Sequence, residues 1–193
     1  TIDRQQVKNI TYIDGLGRPI QKIGIRQGAD NDTDDTNNPD IIQALQYDAF
    51  GRERYQFLPY TSSTDIAKYR TSAITLNAQG NLGGDVLNYY DTATAASGIV
   101  QISTTNRAYA ETAFEASPLH RVQRQAAAGA NWNMNSTHTI NKAHQNYSHY
   151  WLAESTTDEN GQTSTRYTDA MGKVRIDESA LSIQGQAVAT YYG

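Results

Sequence analysis

Apolar and polar residues alternate over short stretches of this chain, at the period of two that marks strands with one covered face. Ile10-Thr11-Tyr12-Ile13 is the first such run, and Ile20, Ile23 and Ile25 punctuate a second from Arg18 to Ile25. A third runs from Ile41 to Tyr47, and in a fourth Glu53, Tyr55 and Phe57 alternate with Arg54 and Gln56. Towards the end, Thr163 to Thr168, Val174-Arg175-Ile176 and Ala187 to Tyr192 read as strands, with Gln184-Gly185 turning the last hairpin. Two stretches fit less well. Ser72 to Ala78 reads as a short helix or a strand, and Gly80, Gly83 and Gly84 break any long element there. Arg107 to Ala116 is rich in helix formers. Alternation nevertheless sets Ala110, Thr112 and Phe114 on one face and Tyr109, Glu111 and Ala113 on the other, so we read a strand. The pattern predicts an all-β fold, a meander of antiparallel hairpins.

The predicted strands are joined by a repeated turn. Asp14-Gly15-Leu16-Gly17-Arg18, Asp48-Ala49-Phe50-Gly51-Arg52, Asp158-Glu159-Asn160-Gly161-Gln162 and Asp169-Ala170-Met171-Gly172-Lys173 share the form Asp-x-x-Gly plus a polar residue. A tyrosine stands one or two places upstream in three of them, at Tyr12, Tyr47 and Tyr167. The spacing has a physical basis. An aspartate opening a type I turn accepts hydrogen bonds from the turn's own amides, and a glycine at the fourth position supplies the left-handed backbone that returns the chain to its partner.

Tyr47-Asp48-Ala49-Phe50-Gly51-Arg52 resembles the tyrosine–aspartate (YD) repeat of Rhs proteins and teneurins. The ordered set is similar to the N-terminal region of Rhs-like secreted proteins of Bacteroidetes: Thr11-Tyr12-Ile13-Asp14-Gly15-Leu16-Gly17-Arg18-Pro19, then Tyr47 to Arg52 with Leu58-Pro59-Tyr60, then Ser117-Pro118-Leu119-His120-Arg121-Val122. The likeness touches most of the chain, and is loose over Thr61 to Val100 and Ala143 to Trp151. Gln162 and Lys173 stand where the family favours arginine, and Thr168 separates Tyr167 from Asp169, so the last two repeats are degenerate copies. The resemblance implies a strip of YD hairpins forming part of a spiral shell that encloses a C-terminal toxin or other cargo. It implies a bacterial protein, secreted or at the cell surface, whose partners are the rest of the same chain and the secretion machinery. The family's self-cleaving core carries an Asp-Pro, and this sequence has none.

Composition is consistent with that picture. Thirteen tyrosines against three phenylalanines and two tryptophans suit sheet surfaces apolar along the ring and wet at the hydroxyl, so a compact, greasy core is not expected. Charged residues make up 19% of the 193, with a net charge of -4 and the basic ones scattered, which gives no electrostatic case for nucleic acid or an anionic membrane. No run approaches the roughly 18 to 20 apolar residues of a membrane helix. Cysteine is absent, and with it disulfides and thiolate sites. Thr1-Ile2-Asp3-Arg4 is no signal peptide, and Tyr191-Tyr192-Gly193 stops within a predicted strand, so we read a segment of a longer polypeptide. Residues 1–60 form the first hairpins, 61–106 an irregular insertion with room for a short helix, and 107–193 further strands and the degenerate hairpins.

Candidate chemistry is thin. Asp30, Asp32 and Asp34 have calcium-loop spacing, but Asp35 sits where that loop needs glycine and Ile41 replaces its closing glutamate, leaving a solvated loop as the better reading. His138, His144 and His149 lie in a tyrosine-rich stretch with no carboxylate to orient an imidazole, which favours packed or exposed histidines over a metal site. Asp14, Asp48, Asp158 and Asp169 are explained together by the turn, not as catalytic pairs. Asp91-Thr92-Ala93 matches an O-glycosylation pattern too loose to decide anything. Nucleophile elbow, phosphate loop and zinc-protease motif are all missing, so no enzyme and no cofactor are expected. The alternative to the shell is a surface adhesion or carbohydrate-binding module, with Trp132, Tyr147, Tyr150 and Trp151 as a stacking platform.

Overall fold

The computed structural model describes residues 7–29, 38–91, 107–148, 151–183 and 186–193. The fold is all-β and antiparallel, and it divides into two units: residues 1–110 with 128–130, and residues 111–127 with 131–193.

In the first unit, β1 (Lys8–Ile13) pairs with β2 (Pro19–Ile25), and β2 with β3 (Asp40–Gln46). The far side of β3 is shared by two short strands. Leu45 pairs with Gln56 of β4 (Tyr55–Phe57), while Asp40 to Ile42 pair with β5 (Tyr60–Ser62). Leu58-Pro59 breaks what would be one strand, because Pro59 has no amide to give to a ladder. The Leu58 amide turns aside to the Ala108 carbonyl at 2.9 Å.

The insertion carries a two-residue hairpin, β6 (Thr75–Leu76) with β7 (Leu82–Gly83), and one helical turn and a half, α1 (Asp85–Tyr90). The open choice for Ser72 to Ala78 resolves as strand, and the helix comes later. Gly84 precedes it at φ 110°, and a Cβ there would stand 2.6 Å from the Ser72 carbonyl, so only glycine fits. Close approach lets the Asp85 amide bond that carbonyl at 2.9 Å and the Val86 amide bond that of Ala73 at 3.3 Å. The helix thereby lays Val86 and Leu87 over Ile23, Ile42 and Ala44, the inward face of β2 and β3. Phe57, Tyr60, Ala73, Ala108 and Tyr109 complete a buried cluster. This corrects the expectation of a sheet without a compact core. The tyrosine-rich strands bury one face because the insertion covers it.

β8 (Tyr109–Phe114) is a strand despite its helix-forming residues. Tyr109 packs on Tyr55 and Phe57 at ring separations of 5.2 and 5.7 Å, a burial that outweighs a propensity preference of a few tenths of a kcal/mol per residue. The second unit takes up the chain within β8 and continues as an unbroken meander through β9 (Val122–Ala126), β10 (Thr139–Ser148), β11 (Trp151–Thr157), β12 (Thr163–Asp169), β13 (Val174–Ile183) and β14 (Gln186–Tyr191). A single 3-10 turn, Ala130–Trp132, lies in the β9–β10 connection.

Candidate functional site

The four Asp-x-x-Gly segments share one geometry. Each glycine lies in the left-handed region: Gly17 at φ 79°, Gly51 at 78°, Gly161 at 78° and Gly172 at 79°. Each glycine amide bonds the aspartate carbonyl at 2.9–3.0 Å, and the residue after it closes the turn by accepting from the aspartate amide at 2.8–2.9 Å. The carboxylate fills the centre. Asp14 Oδ1 accepts from the Leu16 and Arg18 amides, Asp48 Oδ1 from Phe50 and Arg52, Asp158 Oδ1 from Asn160 and Gln162, and Asp169 Oδ1 from Met171 and Lys173.

The second carboxylate oxygen takes a guanidinium where one is present. Arg18 Nε and Nη2 bond Asp14 Oδ2 at 2.8 and 2.7 Å, and Arg52 does the same to Asp48 at 2.7 Å. In the fourth turn Lys173 reaches the Gly193 carbonyl instead, and Arg175 supplies the guanidinium to Asp169 at 2.9 Å. The arginine missing from the motif there is thus displaced by two residues. Asp158 receives no guanidinium in its turn, whose closing residue is Gln162. These contacts set the titration. The Arg18 amide, outweighing burial, and then its guanidinium hold Asp14 below the ordinary carboxylate range. Burial pushes Asp48 up, but the Arg52 amide and guanidinium outweigh it. Asp169 is lowered chiefly by the Lys173 amide, with Arg175 adding to it.

Sequence reasoning missed a fifth copy. Asn77 accepts from the Gln79 and Asn81 amides at 3.0 and 2.9 Å, Gly80 stands at φ 77°, and the Asn77 amide bonds the Asn81 carbonyl. Asparagine replaces aspartate, which hid it, although the Asn-x-x-Gly spacing was there to find. A longer relative closes β8 to β9. Glu115 binds Arg121 through Nε and Nη2, both at 2.9 Å, and accepts the Ser117 hydroxyl. Those bonds, Arg121 first and Ser117 second, draw its pKa down to about 2.

Successive turns are also clasped to each other. The β2–β3 register, with Gln21 opposite Ala44, sets Arg18 opposite Tyr47 when continued. The Arg18 guanidinium lies 4.5 Å from the centre of the Tyr47 ring, and the Tyr47 hydroxyl donates to the Pro19 carbonyl at 2.9 Å. A Cβ on Gly51 would stand 3.2 Å from Arg18 Nη1. One arginine therefore touches its own aspartate, the next tyrosine and the next glycine. Tyr12 works differently: its hydroxyl donates to the Ala67 carbonyl and its ring packs on Tyr69. Tyr167 packs edge-on against Tyr147 at 4.8 Å and donates to Glu178 at 3.3 Å.

The remaining candidates separate. Asp30, Asp32, Asp34, His149 and Tyr150 lie outside the described residues, as do Thr92 and Ala93. Trp132 packs on His138, which precedes β10 and stands nine residues and about 30 Å of strand from Tyr147, so Trp132 and Tyr147 do not share one stacking surface. His144 stands opposite Glu154 of β11, a cross-strand carboxylate that the sequence stretch alone did not contain. Among the described residues no three histidine, aspartate or glutamate side chains gather in a metal-binding group, and no described helix is long and apolar enough to cross a membrane.

Residues 1–146 match the family model of DUF6443, a domain of unknown function, and the chain belongs to that family. No curated protein matches it.

Proposed function

We propose that this DUF6443 member is wall material: a strip of YD-type hairpins from the shell of a secreted or cell-surface bacterial protein, enclosing a C-terminal toxin or other cargo. The observation that carries the reading is the clasp of Arg18 across Asp14 and Tyr47, which locks one turn to the next. The same carboxylate-centred turn recurs in both units. A device repeated along a strip and satisfied by its own backbone amides serves geometry. In this reading the chain is not an enzyme and needs no cofactor. Its partners are adjacent hairpins, the cargo and the export machinery.

Protease protection tests the proposal. In the natural polypeptide the cargo resists proteinase K until the shell is denatured, and a variant combining Asp14→Ala with Asp48→Ala opens it. Cargo digested as fast in the wild type as in that variant contradicts encapsulation. A second reading, an adhesion or carbohydrate-binding module, draws on the exposed rings of Tyr147 and Tyr191 in the second unit. It predicts a cargo that is never protected.

A further inference from the structure

A wall has no need of a pocket lined by rings and buried polar groups, yet the first unit carries such a cleft. A cleft of about 590 Å³ lies between β5, the segment from Thr64 to Ser72, and α1. The rings of Tyr60, Tyr69 and Tyr89 line it, together with Arg70, Asp85 and Asn88. Two of these side chains are buried with a polar atom that has no hydrogen-bond partner among the described residues. Tyr60 is 3% exposed and its hydroxyl, although Asp85 lies close enough to act on it, makes no hydrogen bond of ordinary geometry; Arg70 is 8% exposed and its Nε is unpaired. The Arg70 amino groups are held by the Thr64 carbonyl and hydroxyl, and its backbone by a reciprocal pair of bonds with the Gln21 amide, so the guanidinium is fixed in place. A buried group left without a partner costs about 1–3 kcal/mol, and two in one cleft call for an explanation.

We infer that this cleft binds a neutral polyhydroxylated ligand, a pyranose sugar, through Tyr60, Arg70, Asp85 and Asn88 with tyrosine rings against its apolar face. Charge selects the class. Arg70 and Asp85 bring opposite charges to the cleft, Asp85 accepting the Ser72 hydroxyl at 2.6 Å, and Asp65 is paired with Lys68 at 3.1 Å, so the lining offers no excess charge to an anion or a cation. Planar polar side chains that donate and accept beside aromatic faces match a sugar ring, which is polar at its edge and apolar on its C–H faces. Burial, and next the Asp85 charge, pushes the Tyr60 phenol well above its ordinary value, so it stays a neutral donor. Neither unpaired atom is open to water, so a sugar hydroxyl reaches them with a shift of neighbouring side chains, offset by the hydrogen bonds it completes.

Calorimetric titration of the full chain with glucose, galactose, mannose, N-acetylglucosamine and their short oligomers decides the matter. At least one is expected to bind saturably, about tenfold or more weaker to Tyr60→Phe and to Asp85→Asn. Tyr60→Phe removes an unpaired buried hydroxyl, so its melting temperature holds or rises, which separates lost binding from lost folding. A purely structural Tyr60 gives that melting behaviour with sugar affinity unchanged, and this result overturns the assignment. Absence of saturation up to about 50 mM sugar, far weaker than a working lectin site, overturns it as well. So does binding confined to inorganic phosphate or to an extended peptide on the β5 edge.

Discussion

Gly51 stands at φ 78°, where an L side chain meets its own backbone, and an added Cβ also presses on Arg18 Nη1 at 3.2 Å. Gly51→Ala is therefore expected to cost about 1 kcal/mol for the backbone and somewhat more for the disturbed clasp. Gly161→Ala, with open space around it, incurs the backbone cost alone. Urea denaturation of the two variants measures the difference, and equal losses would argue against the clasp. The carboxylates add a pH dependence. A group whose pKa is lowered by folding contributes stability above its unfolded value and loses it as pH falls through the folded one. For Glu115 that window runs from about 4.5 down to about 2, and Asp14, Asp48 and Asp169 weaken below about 3.8 in the same direction. Glu115→Gln is expected to flatten the acid limb of a melting-temperature curve between those values, and an unchanged limb would contradict the assigned pairing. At this scale the aspartate and glycine positions were legible because their spacing is local chemistry. The guanidinium on Asp169 was not, since Arg175 lies outside the motif, and the arginine–tyrosine clasp depends on a register that only pairing reveals.

Elements followed the alternation closely where a strand has one covered face, as in β3, with Ile42 and Ala44 inward and Gln43 on the other side, whereas in β2 the polar Gln21 joins Ile23 inward. Ser72 to Tyr90 was hard to read for the opposite reason. Its elements are two to six residues long, too short for any period, and are held by tertiary contacts. α1 makes the point. Six residues do not form a helix unaided, and its stability comes from laying Val86 and Leu87 on the β2–β3 face. Leu87→Ala is expected to cost about 2–3 kcal/mol and to release amide protection across α1 and β6 together. Hydrogen exchange that loosens α1 alone would mean the helix is an ornament, not the lid of the core. β8 carries the complementary lesson: its helix-forming composition was overruled by Tyr109 packing between Tyr55 and Phe57.

Taken whole, the chain offers strand edges: β1 and β14 each pair on one side only among the described residues. Unpaired edges recruit others, and Lys8 is the one charge set on β1 against it. Sedimentation velocity is expected to show association that grows with concentration and weakens when Thr11→Pro blocks the outer ladder. A compact monomer at every concentration would favour a self-contained module over a strip. Leu16 and Phe50, 78% and 71% exposed at the turn tips, add apolar surface beyond these edges. Cryo-electron microscopy of the natural polypeptide that carries this segment shows whether it is wall. A wall predicts a hollow shell in which β1 to β5 and β8 to β14 belong to one continuous strip around enclosed density. A segment standing apart from any lumen, with both sheet faces in solvent, would contradict it.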